Sequence, residues 1–169
     1  MMGRNRLMRL ALTLLLVGVC VIGGCDAPVD VGEVPSPIDK TLPHRISIHP
    51  YTGGPRALDD EGTLGLEVQI AALDSFGDNT KAFGDFRLEL FEFRRNVLDP
   101  KGARLAVWEV DLLDPAQNHK HWDKFRQMYE FRLQWDHPAS MGRRLVLKAT
   151  FSSPFTERLF DQGEFIAGE

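Results

Sequence analysis

Leu64-Gly65-Leu66-Glu67-Val68-Gln69-Ile70 is the stretch that decides the fold class. Apolar side chains stand at every second position, and glycine, glutamate and glutamine stand between them. A period of two puts one set of side chains on each face of an extended strand, with only one face buried. The same pattern recurs outward from this segment. Ile46 and Ile48 precede it. Phe86, Leu88 and Leu90 follow, alternating with Arg87 and Glu89. Ala106 to Leu112, Tyr129 to Trp135 and Leu145 to Phe151 continue the series. Beyond Leu90 the apolar residues Phe91 and Phe93 change face, which predicts a bulge or a strand covered on both sides. A last short strand is expected around Arg158 to Phe160 or Glu164 to Ile166.

Turn-forming residues separate the runs: Tyr51 to Pro55, Asp74 to Asn79, Asp99 to Gly102, Asp114-Pro115, Asp136 to Pro138 and Ser140 to Gly142. Residues 119–127 have room for one helical turn. Short alternating strands with such punctuation predict an all-β chain, an antiparallel two-sheet sandwich of about six to eight strands. The segment Val68 to Leu90 adds a specific likeness. Its strand, Asp74-x-x-Gly77 turn and second strand opening at Gly84 resemble immunoglobulin-like and transthyretin-like modules of exported proteins. That resemblance implies a two-sheet sandwich and carries no catalytic residue with it.

The amino end reads differently. Arg4, Arg6 and Arg9 precede fifteen uncharged residues, Leu10 to Gly24. A helix of that length reaches about 22 Å, short of the ~30 Å hydrocarbon core of a bilayer. A basic start, a short apolar run and small residues at its end match a secretory signal. The run closes on Ile22-Gly23-Gly24-Cys25, which resembles the lipobox of bacterial lipoproteins. The resemblance implies removal of residues 1–24 and attachment of diacylglycerol and an N-acyl chain to Cys25. A thiolate is readily alkylated, and small residues at 23 and 24 let a peptidase approach the backbone. Two or three acyl chains anchor durably where one does not. The alternative is an ordinary signal peptide cut near Gly24. Asp26 resembles an inner-membrane retention signal of some sorting systems, or it begins a polar linker. Residues 25–43, with Pro28, Pro35, Pro37 and Pro43, form that linker, an extended spacer. The sandwich domain is expected over 44–169.

Composition narrows the partners. Three of the 20 basic residues lie in the first 25, so 17 remain against 24 acids, a net charge of −7. An acidic surface repels phosphates, which argues against nucleic acid. Only Cys20 and Cys25 are present, so the domain has no disulfide framework, thiolate metal site or cysteine nucleophile.

Several clusters carry chemistry. His119, His121 and Asp123, if extended, share a face and can ligate Zn²⁺ or Cu²⁺; the plainer reading is a polar loop. Asp59, Asp60, Glu61, Asp74 and Asp78 can supply calcium ligands, without the EF-hand spacing. Trp108 and Trp135 fall in alternating strands and belong to the core. Trp122 falls outside them and is the surface candidate for stacking a sugar or peptide. No serine has a G-x-S-x-G context, and no glycine-rich phosphate loop is present. The expectation is a non-enzymatic, lipid-anchored protein without cofactor. It sits on the periplasmic face of the inner or outer membrane and serves as a binding or structural accessory to an envelope partner. Two alternatives stand beside it: a periplasmic metal-binding protein using His119, His121 and Asp123, and a carbohydrate- or peptide-binding module at Trp122.

Overall fold

The computed structural model describes residues 38–135 and 141–168. The signal segment, Ile22, Gly23, Gly24, Cys25, Asp26 and the linker to residue 37 lie outside the described residues, as do positions 136–140. Among the described residues no helix is long and apolar enough to cross a membrane.

The alternating segments form the expected two antiparallel sheets. In chain order the strands are β1 (Arg45–Ile48), β2 (Gly53–Ala57), β3 (Leu64–Leu73), β4 (Asp85–Phe93), β5 (Lys101–Asp111), β6 (Trp122–Asp123), β7 (Met128–Gln134), β8 (Arg144–Ser152) and β9 (Leu159–Ile166). One sheet runs β1-β3-β7-β6, with β2 also on β3; the other runs β5-β4-β8-β9. β1 pairs with the end of β3, from Arg45↔Leu73 to Ile48↔Ile70, and β2 with its start, from Gly53↔Glu67 to Ala57↔Leu64. Since β7 takes the other edge of β3, β1 and β2 are two halves of one edge strand broken at His49 to Thr52. Counted that way, the order is that of an immunoglobulin-type sandwich, A-B-E-D facing C′-C-F-G.

The period-2 residues meet between the sheets. Leu66, Val68 and Ile70 of β3 and Phe131 and Leu133 of β7 face Phe86, Leu88 and Leu90 of β4 and Leu145, Leu147 and Phe151 of β8. Phe86 sits among aromatics, with ring centroids 4.9 Å from Phe151 and 5.3 Å from Phe131. Each buried side chain of this size contributes roughly 1.5–3 kcal/mol. Trp135 belongs to this core, and Trp108 packs against it.

β4 itself does not change face after Leu90; the bulge is in β5, and Phe91 and Phe93 continue the outward positions of Arg87 and Glu89. Register shifts in the β4–β5 pairing occur at Leu90/Phe91 and Phe91/Phe93, while β4–β8 stays in register. Phe91 and Phe93 therefore lie on the outer face, where the Arg144 guanidinium covers the Phe93 ring at 5.0 Å.

Four local expectations change. Residues 51–55 are not only a turn, because Gly53 opens β2. The two short pieces expected at the end are one strand, β9. Asp114-Pro115 starts a seven-residue helix, α2 (Pro115–His121); α1 (Ile38–Thr41) lies within the expected linker. The Lys40 carbonyl accepts from Ser75 N at 3.2 Å and Oγ at 2.8 Å, and the Thr41 carbonyl accepts from Thr80 Oγ1. Those bonds fasten the end of the linker to the β3–β4 loop. In that loop Asp74 Oδ1 accepts from Phe76 N and Asp78 N, and Gly77 takes φ 89°, the left-handed conformation that favours glycine.

Candidate functional site

The helix α2 reshapes the histidine cluster. Asp114 caps it, its side chain accepting from Ala116 N at 3.0 Å, and Pro115 occupies the first turn. Residues two apart on a helix point roughly 200° apart. His119 and His121 therefore diverge, where an extended chain would have aligned them. His119 is exposed. His121 is half-buried, its Nδ1 donating to the Glu130 carbonyl at 3.2 Å and its ring 5.2 Å from Phe131. Burial lowers its pKa, opposed by that hydrogen bond.

Asp123 ends the two-residue strand β6. Its Oδ1 accepts from Phe125 N at 2.8 Å and Arg126 N at 3.2 Å, and its Oδ2 meets Arg126 Nη1 at 3.1 Å. Those backbone donors hold its carboxyl below the usual range. The carboxylate thus builds the β6–β7 turn. Among the described residues no group of three or more His, Cys, Asp or Glu side chains is gathered as a metal site needs. Of the calcium candidates, Asp59 and Asp74 are used locally. Asp59 accepts from Thr63 N at 2.9 Å, and its pKa is lowered chiefly by hydrogen bonds to Thr63.

Trp122 is half-buried. Its ring meets Tyr129 edge-on at 5.0 Å, and Lys81 Nζ lies 5.6 Å from its centroid. His121, Trp122 and Asp123 do share a cleft of about 650 Å³ with Asp59, Glu130 and Arg132. His119, Asp60, Glu61, Asp74 and Asp78 do not line it.

A second cavity, of about 690 Å³, escaped the sequence reading. It forms where the broken edge strand turns at Pro50 to Thr52. Thr52 Oγ1 takes over the backbone of Gln69 there, accepting from its N at 3.0 Å and donating to its O at 3.2 Å. Gln69 itself is 2% exposed. Its Nε2 donates to Glu67 Oε1 at 3.1 Å, while its Oε1 is buried with no partner among the described residues. A buried acceptor without a donor is costly and uncommon in folded proteins. Arg56, Arg126, Arg144 and Glu164 complete the polar wall, and the exposed ring of Tyr51 stands at the rim. Arg56 pairs with Glu67 at 3.7 Å and Arg144 with Glu164 at 3.3 Å. The wall offers donors and acceptors of both kinds, which suits a polar molecule held by hydrogen bonds. Nothing in the alternation of β3 marks Gln69, since any polar residue satisfies an outward position.

In comparisons with known proteins, no family model matches the chain, and neither a curated protein nor a solved structure matches it.

Proposed function

We propose that this chain is a lipid-anchored extracytoplasmic lipoprotein whose sandwich is a non-catalytic binding or structural accessory module of the cell envelope. The observation that carries the reading is Ile22-Gly23-Gly24-Cys25 behind fifteen uncharged residues and a basic start. An acidic domain has little electrostatic reason to stay on a membrane, so the acyl chains on Cys25 supply the attachment. Mass spectrometry of the native amino terminus tests it. The expected species begins at Cys25 and carries diacylglycerol and an N-acyl chain. Cleavage elsewhere, or an unmodified Cys25, removes the reading.

A second reading, the carbohydrate- or peptide-binding module, is favoured by Gln69. Gln69, whose Oε1 is buried without a partner, is among the residues lining the larger cavity, with guanidinium donors and an exposed tyrosine. Gln69→Met removes the orphan oxygen at similar volume, so stability should hold or rise by about 1 kcal/mol. Binding of oligosaccharides or short peptides, read by calorimetric titration, should be lost in the same variant. Binding that survives Gln69→Met and disappears in Trp122→Ala instead places the ligand in the other cleft.

A further inference from the structure

The exposed phenylalanines are not scattered. Five are exposed: Phe76 at 73%, Phe83 at 42%, Phe125 at 101%, Phe155 at 44% and Phe160 at 74%. The registers place them together. Asp85 opens β4 opposite Ser152, near the end of β8, and β3 ends at Leu73 opposite Arg45. The β6–β7 turn lies beyond the Ile70↔Tyr129 pair, and the β8–β9 connection beyond Phe151↔Leu159. The β3–β4, β6–β7 and β8–β9 loops therefore share one end of the sandwich. Phe76 and Phe83 lie in the first, Phe125 in the second and Phe155 in the third, with Phe160 one residue inside β9. The opposite end carries the β4–β5 hairpin, and its exposed apolar residues, Leu64, Val97, Leu98 and Met141, include no phenylalanine.

The chain enters the domain at the phenylalanine end. α1 leads into β1 there, and the Lys40 carbonyl is bonded to Ser75, next to Phe76. Ile38, at the first described position, is also exposed. Only residues 26–37 separate it from Cys25, a reach of at most about 45 Å. Apolar loop tips cost free energy in water and gain it in the interfacial region of a bilayer. Acids and bases intermix in the same loops, as with Asp74, Asp78 and Lys81, or Glu157 and Arg158. The drive to a surface at this end is therefore apolar more than electrostatic.

We infer that this end is a membrane-docking face: Phe76, Phe125 and Phe155 dip into the bilayer interface and hold the domain upright on its tether. The inference rests on the anchor reading. The test uses the lipidated protein in phosphatidylcholine vesicles, with and without phosphatidylglycerol. Single fluorescent labels replace the exposed neighbours Asp78, Lys124 and Glu157, with Leu98 at the far end as control. Doxyl-labelled lipid should quench the three near labels at least threefold more than the label at 98, in both lipid mixtures. The triple variant Phe76→Ser, Phe125→Ser, Phe155→Ser should lose that difference while staying vesicle-bound through Cys25. A lipidated, vesicle-bound protein whose four labels respond alike overturns the docking face and leaves the anchor standing. So does one whose near labels are shielded from aqueous iodide without being reached by the lipid quencher, because protein then covers this end. A mass spectrum showing unmodified Cys25 in the same preparation overturns both.

Discussion

Tyr129→Phe removes a single oxygen from the centre of a buried polar knot. Tyr129 Oη accepts from Ala82 N at 2.9 Å and lies 3.0 Å from Asn118 Oδ1, to which it donates. Asn118 Nδ2 in turn donates to the carbonyls of Ala82 at 2.7 Å and Leu112 at 3.0 Å. One hydroxyl thus ties β7 to the β3–β4 loop and to α2, and Tyr129 and Asn118 are both buried. The variant leaves the Ala82 N–H and the Asn118 oxygen without partners. At about 1–3 kcal/mol for each of these two buried unsatisfied groups, the loss should be about 2–6 kcal/mol at pH 7. The phenol adds a pH signature. Burial pushes its pKa up to about 12 from the ordinary tyrosine value of 10.0. Between those values the unfolded chain has lost the proton and the folded chain keeps it. Stability conferred by this group is therefore full below about pH 10 and falls as pH rises toward 12. The span corresponds to about 2–3 kcal/mol at 1.36 kcal/mol per unit. Urea unfolding from pH 7 to pH 11.5, followed by tryptophan fluorescence, reads both effects. The wild-type midpoint should start higher, and the gap to the variant should narrow on the alkaline side. A midpoint unchanged at pH 7, or a gap constant with pH, would refute the reasoning.

Three other perturbations have defined outcomes. A Cβ on Gly84 would overlap the Ser152 carbonyl and lie 2.9 Å from the Phe151 ring. Gly84→Ala should therefore cost more than about 3 kcal/mol, seen as a thermal midpoint lowered by roughly 10 °C or more. His121 has a lowered pKa because it is partly buried. Its stability contribution is full above the unfolded value of about 6.5 and is lost as pH falls through the folded one. Wild type should thus weaken relative to His121→Gln between pH 7 and pH 5 in parallel urea titrations, and parallel curves would remove the argument. Glu89, mostly buried on the outer face of β4, faces Arg104 at 3.1 Å, Arg87 at 3.5 Å and Lys148 at 3.9 Å. Those partners are more exposed, so Glu89→Gln should cost only about 1–2 kcal/mol, and the difference should shrink in 1 M salt.

Which parts of this architecture were legible follows from what each strand touches. β3, β4, β7 and β8 each present one face to the core, so their alternation was plain in Leu64 to Ile70 and its relatives. The sequence of β9 looks like two fragments because Asp161 and Gly163 occupy its inward positions. They face the broken edge strand: Asp161 Oδ2 accepts from Ile48 N at 2.7 Å, and Gly163 lies against the Ile48 side chain. β2 was hidden by composition, since Gly53-Gly54-Pro55 also serves a turn. Asp114-Pro115 is equally a turn signal and a helix start, and only the capping bond to Ala116 separates the two. The histidine cluster failed on that ambiguity, because two-residue spacing aligns side chains in a strand and opposes them in a helix. Gln69 was illegible for another reason. What matters about it is the missing partner of one oxygen, and a missing partner leaves no mark on sequence.

If the proposed anchor holds the chain at a membrane, the edges of the two sheets matter there. Proteins confined to one plane meet at high effective concentration, and unpaired strand edges then invite polymerisation. Each edge here is poorly suited to it. β6 offers two residues, the β1–β2 edge is broken, carries Pro55 and has its Ile48 N–H taken by the Asp161 side chain, and β9 carries Gly163 in its interior. β5, the long edge, is bulged against β4 and carries Lys101, Arg104 and Glu109. Copies of this domain can therefore crowd together without exchanging strands.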